Sequence, residues 1–358
     1  MRELILPFLA VCAMIPCAQP VVGQSVSCMA TPTSMTPTSW NASTSVPPTA
    51  ERGGLHTVRE VPLPGVANRF DYQSVDPAAR RLYLSHMNAG VLVVFDLDSA
   101  RVIGEVDGVD RATGVLAVPD QRAVYVSAAG RHELAVINDR TLKITARVPG
   151  IRFPDGIAYA PAEAKVFVSD EAGAADIVID ARTNTRRSAI ALDGEAGNTH
   201  YDSVSHCILV AVQTKNQLVA IDPRTERIVQ RYALRGFDAP HGFVLDEAGR
   251  LAFISNQGTA TLQVVDLRTM RVLATHRVGS DPDVLAWDAH WRLLYVASEG
   301  GVLSSFAVDG VDLHALPALR IPHAHTVAVD PATHRVYLPL ENVNGRPVLR
   351  ILAPTRGR

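Results

Sequence analysis

Apolar residues in this chain come in short runs of three to six, and the runs recur. Tyr83, Tyr125, Phe167, Leu209, Phe253, Tyr295 and Tyr337 are spaced by 42, 42, 42, 44, 42 and 42 residues. Each lies in the same local pattern, an apolar run closed by a small residue, as in Leu82-Tyr83-Leu84-Ser85 and Val166-Phe167-Val168-Ser169. A fixed period of this size marks stacked or radially repeated units. It also allows one blade of the repeat to be laid over the next, so that a residue unlike its counterparts stands out.

Within one repeat, Val115–Val118, Ala123–Ser127, Glu133–Ile137 and Ile144–Val148 read as four strands, being short, β-branched and bounded by turn residues. No apolar stripe of period 3.6 lies between them. The turns repeat too: Asp180-Ala181-Arg182-Thr183, Asp222-Pro223-Arg224-Thr225 and Asp266-Leu267-Arg268-Thr269 follow the third strand. Their aspartates accept hydrogen bonds from amides two residues on and so initiate turns. After the first strand, Asp76-Pro77 and Asp330-Pro331 do the same, and these aspartates are structural.

Four antiparallel strands in each repeat predict an all-β, seven-bladed β-propeller. The last blade, Thr326 to Ala353, holds only three strands, and Thr57–Val61 ahead of blade one is expected to supply the fourth beside Val348–Ile351. Closure of this kind removes an open sheet edge. The chain resembles the YVTN β-propeller repeat family and is similar to its YncE-like secreted members. Tyr125-Val126-Ser127, Tyr295-Val296-Ala297 and Phe253-Ile254-Ser255-Asn256 carry the likeness, which spans about residues 55–354. It implies the fold; propellers host enzymes, carriers and scaffolds alike.

Composition changes the picture at the N-terminus. Over 358 residues, 47% hydrophobic and 20% charged positions describe a globular chain. A net charge of −2 without a basic run argues against a nucleic-acid surface. Residues 1–23 read as an export signal: Arg2, an apolar stretch from Leu4 to Ile15 too short to span a bilayer, and small residues near Gly23. Residues 24–54 form a Ser/Thr/Pro-rich segment, expected to be a flexible linker, and residues 55–354 the propeller. The expected location is therefore periplasmic or secreted, as a monomer with no transmembrane segment. Cys12 and Cys17 fall in the signal, and Cys28 and Cys207, far apart in sequence, do not make a disulfide framework.

Strand direction places the loop before strand one and the loop after strand two on one face, the channel mouth. The residues entering strand one are Asp71, Thr113, Asp155, Gly197, His241, Asp283 and His325, again at the repeat spacing. His241, Asp283, His325 and Asp71 form a contiguous arc over blades five, six, seven and one, and are the expected metal ligands. Mixed imidazole and carboxylate donors suit Zn²⁺, Mn²⁺ or Mg²⁺, and Ca²⁺ where the histidines stand aside. Arg69, Arg111, Asp155, Asp170, Asn256 and Glu341 stand nearby by register as ligand-binding candidates. His200 replaces an apolar position in blade four, either lining the channel or packed in the core. Gly156 and Gly242 read as turn glycines.

Two functions follow from this ring. One is a binding module that holds a small molecule, a metal ion or a peptide at its mouth, with no cofactor required. The other is a metal-dependent hydrolase or lyase, like those propeller lactonases and lyases that place a metal at the mouth. There His86 or Glu299 is the candidate general base and Arg69 orients an anionic substrate.

Overall fold

The computed structural model describes Cys28 and residues 52–356. The export signal and nearly all of the expected linker lie outside them. Seven four-stranded antiparallel sheets are formed, six of them in simple sequence order. In the seventh, Ala328–Val329, Val336–Val343 and Arg346–Arg356 are joined by Arg52–Pro62 from the other end of the chain. Thr57 pairs with Leu352 and Val61 with Leu349, so the expected closing strand is in place.

Burial follows the position of each strand in its blade. The second and third strands are covered on both sides by neighbouring blades. They read as unbroken apolar runs, and Cys207–Val212 is buried at every position. The fourth strands have one face in water and alternate, as Arg271–Arg277 does. Seven apolar clusters form the core, most of them joining two adjacent blades, so the core is a ring around the channel.

The aspartates that end strand one have a second task beyond their turns. On the face opposite the mouth four of them reach the next blade. Arg250 forks onto Asp202 at 2.6 Å on both oxygens, and Arg292 contacts Asp246 at 3.4 Å. His334 meets Asp288 at 2.8 Å, and Arg80 of blade one forks onto Asp330 of blade seven at 2.8 Å on both oxygens. The last pair stitches the ring closed, with the Asp330 side chain fully buried. Removing one partner of such a pair strands the other charge. Asp330→Ala is therefore expected to lower the unfolding free energy by about 3 kcal/mol. Asp110→Ala, which breaks an exposed and solvent-screened pair with Arg131, should leave it nearly unchanged. Urea denaturation of both variants checks this; equal effects would show that the buried stitch does not hold the closure.

The cysteines differ from expectation. Cys28 and Cys207 form a disulfide, and Cys28 packs with Leu209, Leu218, Phe237 and Phe243 between blades four and five. The pairing joins a segment without periodic signal to a strand residue 179 positions away, a contact that spacing does not encode.

Candidate functional site at the channel mouth

Ring residues enter the mouth in two ways: strand one bulges there in five blades, and Asp71 and His325 precede their short first strands. In blades two to six the register between strands one and two slips across the ring position, for example between Pro240 and Phe243 and between Pro282 and Leu285. A bulge adds a residue and re-aims its side chain. The bulges also bring neighbouring backbones together. A Cβ at Gly242 would lie 1.6 Å from the Asp283 carbonyl oxygen, so glycine there lets blade six dock and sets Asp283 beside His241. Gly156 and Gly242 are thus strand residues at blade contacts, not turn glycines. Gly197 leaves the space into which His241 Nδ1 projects.

Four ring residues and Glu299 converge. His325 is the hub: its Nε2 lies 2.9 Å from Asp71 Oδ1, and its Nδ1 lies 3.2 Å from Asp283 Oδ2 and 3.0 Å from Glu299 Oε1. The other Asp283 oxygen is 3.0 Å from His241 Nε2. Arg69 closes the group, with one guanidinium nitrogen 3.1 Å from Glu299 Oε1 and 2.9 Å from His325 Nε2. His325 and Asp283 are each about 95% buried, whereas Glu299 opens to solvent.

This packing sets the protonation of the group. Burial opposes charge on His241, yet Asp283, Asp155 and Glu171 push its pKa up to about 9. Burial acts likewise on His325, and Asp283 and Asp71 raise it well above the ordinary imidazole value. Burial favours the neutral form of Asp283, but His325 and His241 hold it well below the usual carboxylate range. Glu299 is lowered by its hydrogen bond to His325.

A second group faces the first across the ring. The Tyr72 hydroxyl spans from blade one to blades three and four, donating to Asp155 Oδ2 at 3.1 Å and meeting Asn198 Oδ1. Burial raises the Asp155 pKa to about 7, with the Asp71 charge adding to it. Glu171 lies in the same field and is raised by burial. Below, strand-one residues of all seven blades line a channel cavity of about 450 Å³, to which Tyr72 and Asn198 also belong. His200 lines this cavity, edge-on to Phe243 at 4.6 Å, and burial lowers its pKa to about 4.

The remaining candidates take other places. Asp170 accepts the amides of Arg152, Phe153 and Gly173, and Asn256 accepts that of Asp238, so both brace mouth loops. Arg111 stacks over Phe153 at 5.1 Å, and Glu341 lies 3.9 Å from the exposed His323; neither has an ion pair with the Asp283 group. His86 is buried and stacked on Phe70 at 4.0 Å, and burial lowers its pKa to about 4. Sequence reasoning passed over Tyr72, Glu171 and Asn198. The repeat carried a signal for Tyr72: its counterparts are Gly114, Gly156, Asn198, Gly242, Val284 and Thr326, and it is the one large ring among them.

The residues fit a cation. Donor atoms of Asp283, Glu299 and His325 lie within 4.8 Å of one another. His325 Nδ1 is buried and makes no hydrogen bond of good geometry, although two carboxylate oxygens are near. The far nitrogen of His325 is tied to Asp71, the arrangement by which a carboxylate orients a metal-binding imidazole. Among the described residues no other group of three such donors was found.

Comparison with known proteins agrees on the fold. No family model matches the chain. A stretch of 96 residues is 33% identical to the uncharacterized protein F44B9.2 of Caenorhabditis elegans; it takes in 26% of this chain and only 18% of that protein's length. The structure is similar to a chain of hydrazine synthase from Kuenenia stuttgartiensis, with a TM-score of 0.70 and 15% identity, over 84% of this chain and 97% of that one. At that identity the likeness shows the architecture alone: this chain is a seven-bladed β-propeller.

Proposed function

We propose that this protein is an exported propeller binding module of the YVTN-repeat kind, whose mouth holds a divalent cation and, through it, a small ligand. The observation that carries the reading is the buried, undirected Nδ1 of His325 between two carboxylate oxygens. His325, Asp283 and Glu299 are the donors. Asp71 orients His325, and His241 occupies the second oxygen of Asp283. The four ring residues expected from the repeat thus divide into two ligands and two supports, and Glu299 joins as the third ligand. An N, O, O donor set with room for solvent suits Zn²⁺ or Mn²⁺ best. The disulfide supports an oxidising compartment.

The same mouth leaves the hydrolase or lyase reading open only to a base other than His86, which is sealed against Phe70. Within either reading, the cation would lower the pKa of a bound water or polarise a carbonyl.

Titration calorimetry with Mn²⁺ at pH 8 tests the reading. Binding should be lost at least 100-fold in His325→Ala. It should weaken about tenfold in Asp71→Asn, as expected when the group orienting a ligand is removed. His334→Ala, on the opposite face, should match the wild type. Protons compete for His325, so affinity should climb as pH rises, the direction set by its raised imidazole. Absence of Mn²⁺ binding by the wild type at pH 8 would overturn the proposal.

A further inference from the structure

The mouth has a charge balance that limits what a bound cation can present. Asp71, Asp155, Glu171, Asp283 and Glu299 share one field with a single permanent cation, Arg69. Arg69 is already engaged by Glu299 and His325. With His241 protonated, a dication held by His325, Asp283 and Glu299 only brings the group close to neutral and leaves no surplus positive charge. The mouth therefore has no net positive charge with which to hold an anionic ligand.

The wall opposite the cation is an acceptor. Asp155 is 95% buried, yet only one of its carboxyl oxygens is engaged, by Tyr72. The other has no hydrogen-bond partner and is not among the buried polar atoms, so it faces the solvent of the mouth. Tyr72, which holds the carboxyl, also lines the channel cavity. The pocket so defined has a Lewis acid on one side, a hydrogen-bond acceptor on the other, and a phenol ring beside the acceptor.

We infer that the mouth recognises a neutral, polyhydroxylated ligand, with hydroxyl oxygens on the cation and a hydroxyl proton donated to Asp155. This rests on the cation-binding reading above. Arg69 then serves to hold Glu299 and His325 in place rather than to capture a substrate carboxylate, a reversal of the role expected from sequence. Hydroxyl groups are ligands for hard and borderline cations and donors to a carboxylate at once, which neither an anion nor an apolar molecule can match.

The test reads water on the ion. Mn²⁺-loaded protein at pH 8 is titrated with sorbitol and, separately, with acetate, while the longitudinal relaxation of water protons is followed. Sorbitol should lower the relaxivity saturably by displacing bound water, and acetate should not. At saturating Mn²⁺, Asp155→Asn should weaken the sorbitol response at least tenfold, because the amide oxygen stays with Tyr72 and the amide nitrogen turns a donor toward the ligand. Tyr72→Phe should weaken it less, since the carboxyl remains. Displacement by acetate in place of sorbitol, or an undiminished response in Asp155→Asn, would overturn the inference while leaving the cation site standing. Failure of the wild type to retain Mn²⁺, scored before any sorbitol is added, would bring down both.

Discussion

Replacing Asp176 by Leu is expected to raise the unfolding free energy by about 3 kcal/mol near pH 7.5, a rare direction for a core substitution. Asp176 lies in the third strand of blade three and is wholly buried. The same position in the other six blades is Leu92, Leu134, Leu218, Leu262, Leu303 and Leu349, all fully buried. One Asp176 oxygen accepts from Thr199 at 3.3 Å, and the other, near the Val168 backbone, makes no hydrogen bond of good geometry. Burial pushes its pKa up to about 7. An unpaired carboxyl in an apolar layer is destabilising as the anion, whereas a leucine there fills the layer as its six counterparts do. The loss of one neutral hydrogen bond to Thr199 offsets about 1 kcal/mol of the gain. Urea denaturation at constant m-value measures the difference, and a variant no more stable than the wild type would refute the argument. The gap should narrow toward pH 5, where the carboxyl is protonated in the native state.

The second large effect is a fall in stability of the metal-free protein as pH rises. His241 has a native pKa of about 9, above its unfolded value. Its contribution is therefore fully present below about 6.5 and is lost as pH climbs through 9. Asp155 and Asp176 have native values of about 7, so the native state binds more protons between about 4 and 7 and stability falls with pH there too. Asp283 acts oppositely, its lowered pKa withdrawing stability only below about 4. The melting temperature should thus decline continuously from pH 5 to pH 9.5, with a total loss of about 3 kcal/mol or more from the sites together. Mn²⁺ should restore part of the stability at pH 9, because the ion takes the deprotonated His325 imidazole. A flat profile over this range, or one that rises, would show that the histidines are not held charged by their carboxylates. Asp155→Asn with Asp176→Asn should remove the lower part of the slope and leave the part above pH 7.

Much of the architecture was legible because a propeller repeats one solution seven times. Tyr83 and its counterparts mark the second strand of every blade. The deficit in the last blade points to Thr57–Val61 as the closing strand. The ring of Asp71, Asp155, His241, Asp283 and His325 was legible for the same reason, since equal register means equal placement around the axis. The aspartates of strand one were rightly read as structural, but only half of their work could be seen. The turn they begin is local, whereas the ion pairs of Asp202, Asp246, Asp288 and Asp330 join residues 46 to 250 positions apart.

By itself, then, the sequence determined the blade count, the strand content, the closing strand and the set of side chains delivered to the mouth, because these depend on periodicity and on residue chemistry. Only the tertiary structure decided which of those side chains meet. The bulges of blades five and six turn His241 and Asp283, His325 meets Asp283 and Glu299, Gly242 and Gly197 let His241 in, Tyr72 crosses the channel to Asp155, and Cys28 finds Cys207. Such pairings depend on distances across blades and across the axis. A linear repeat specifies where a residue stands in its own blade but carries no information on how far its side chain reaches into another.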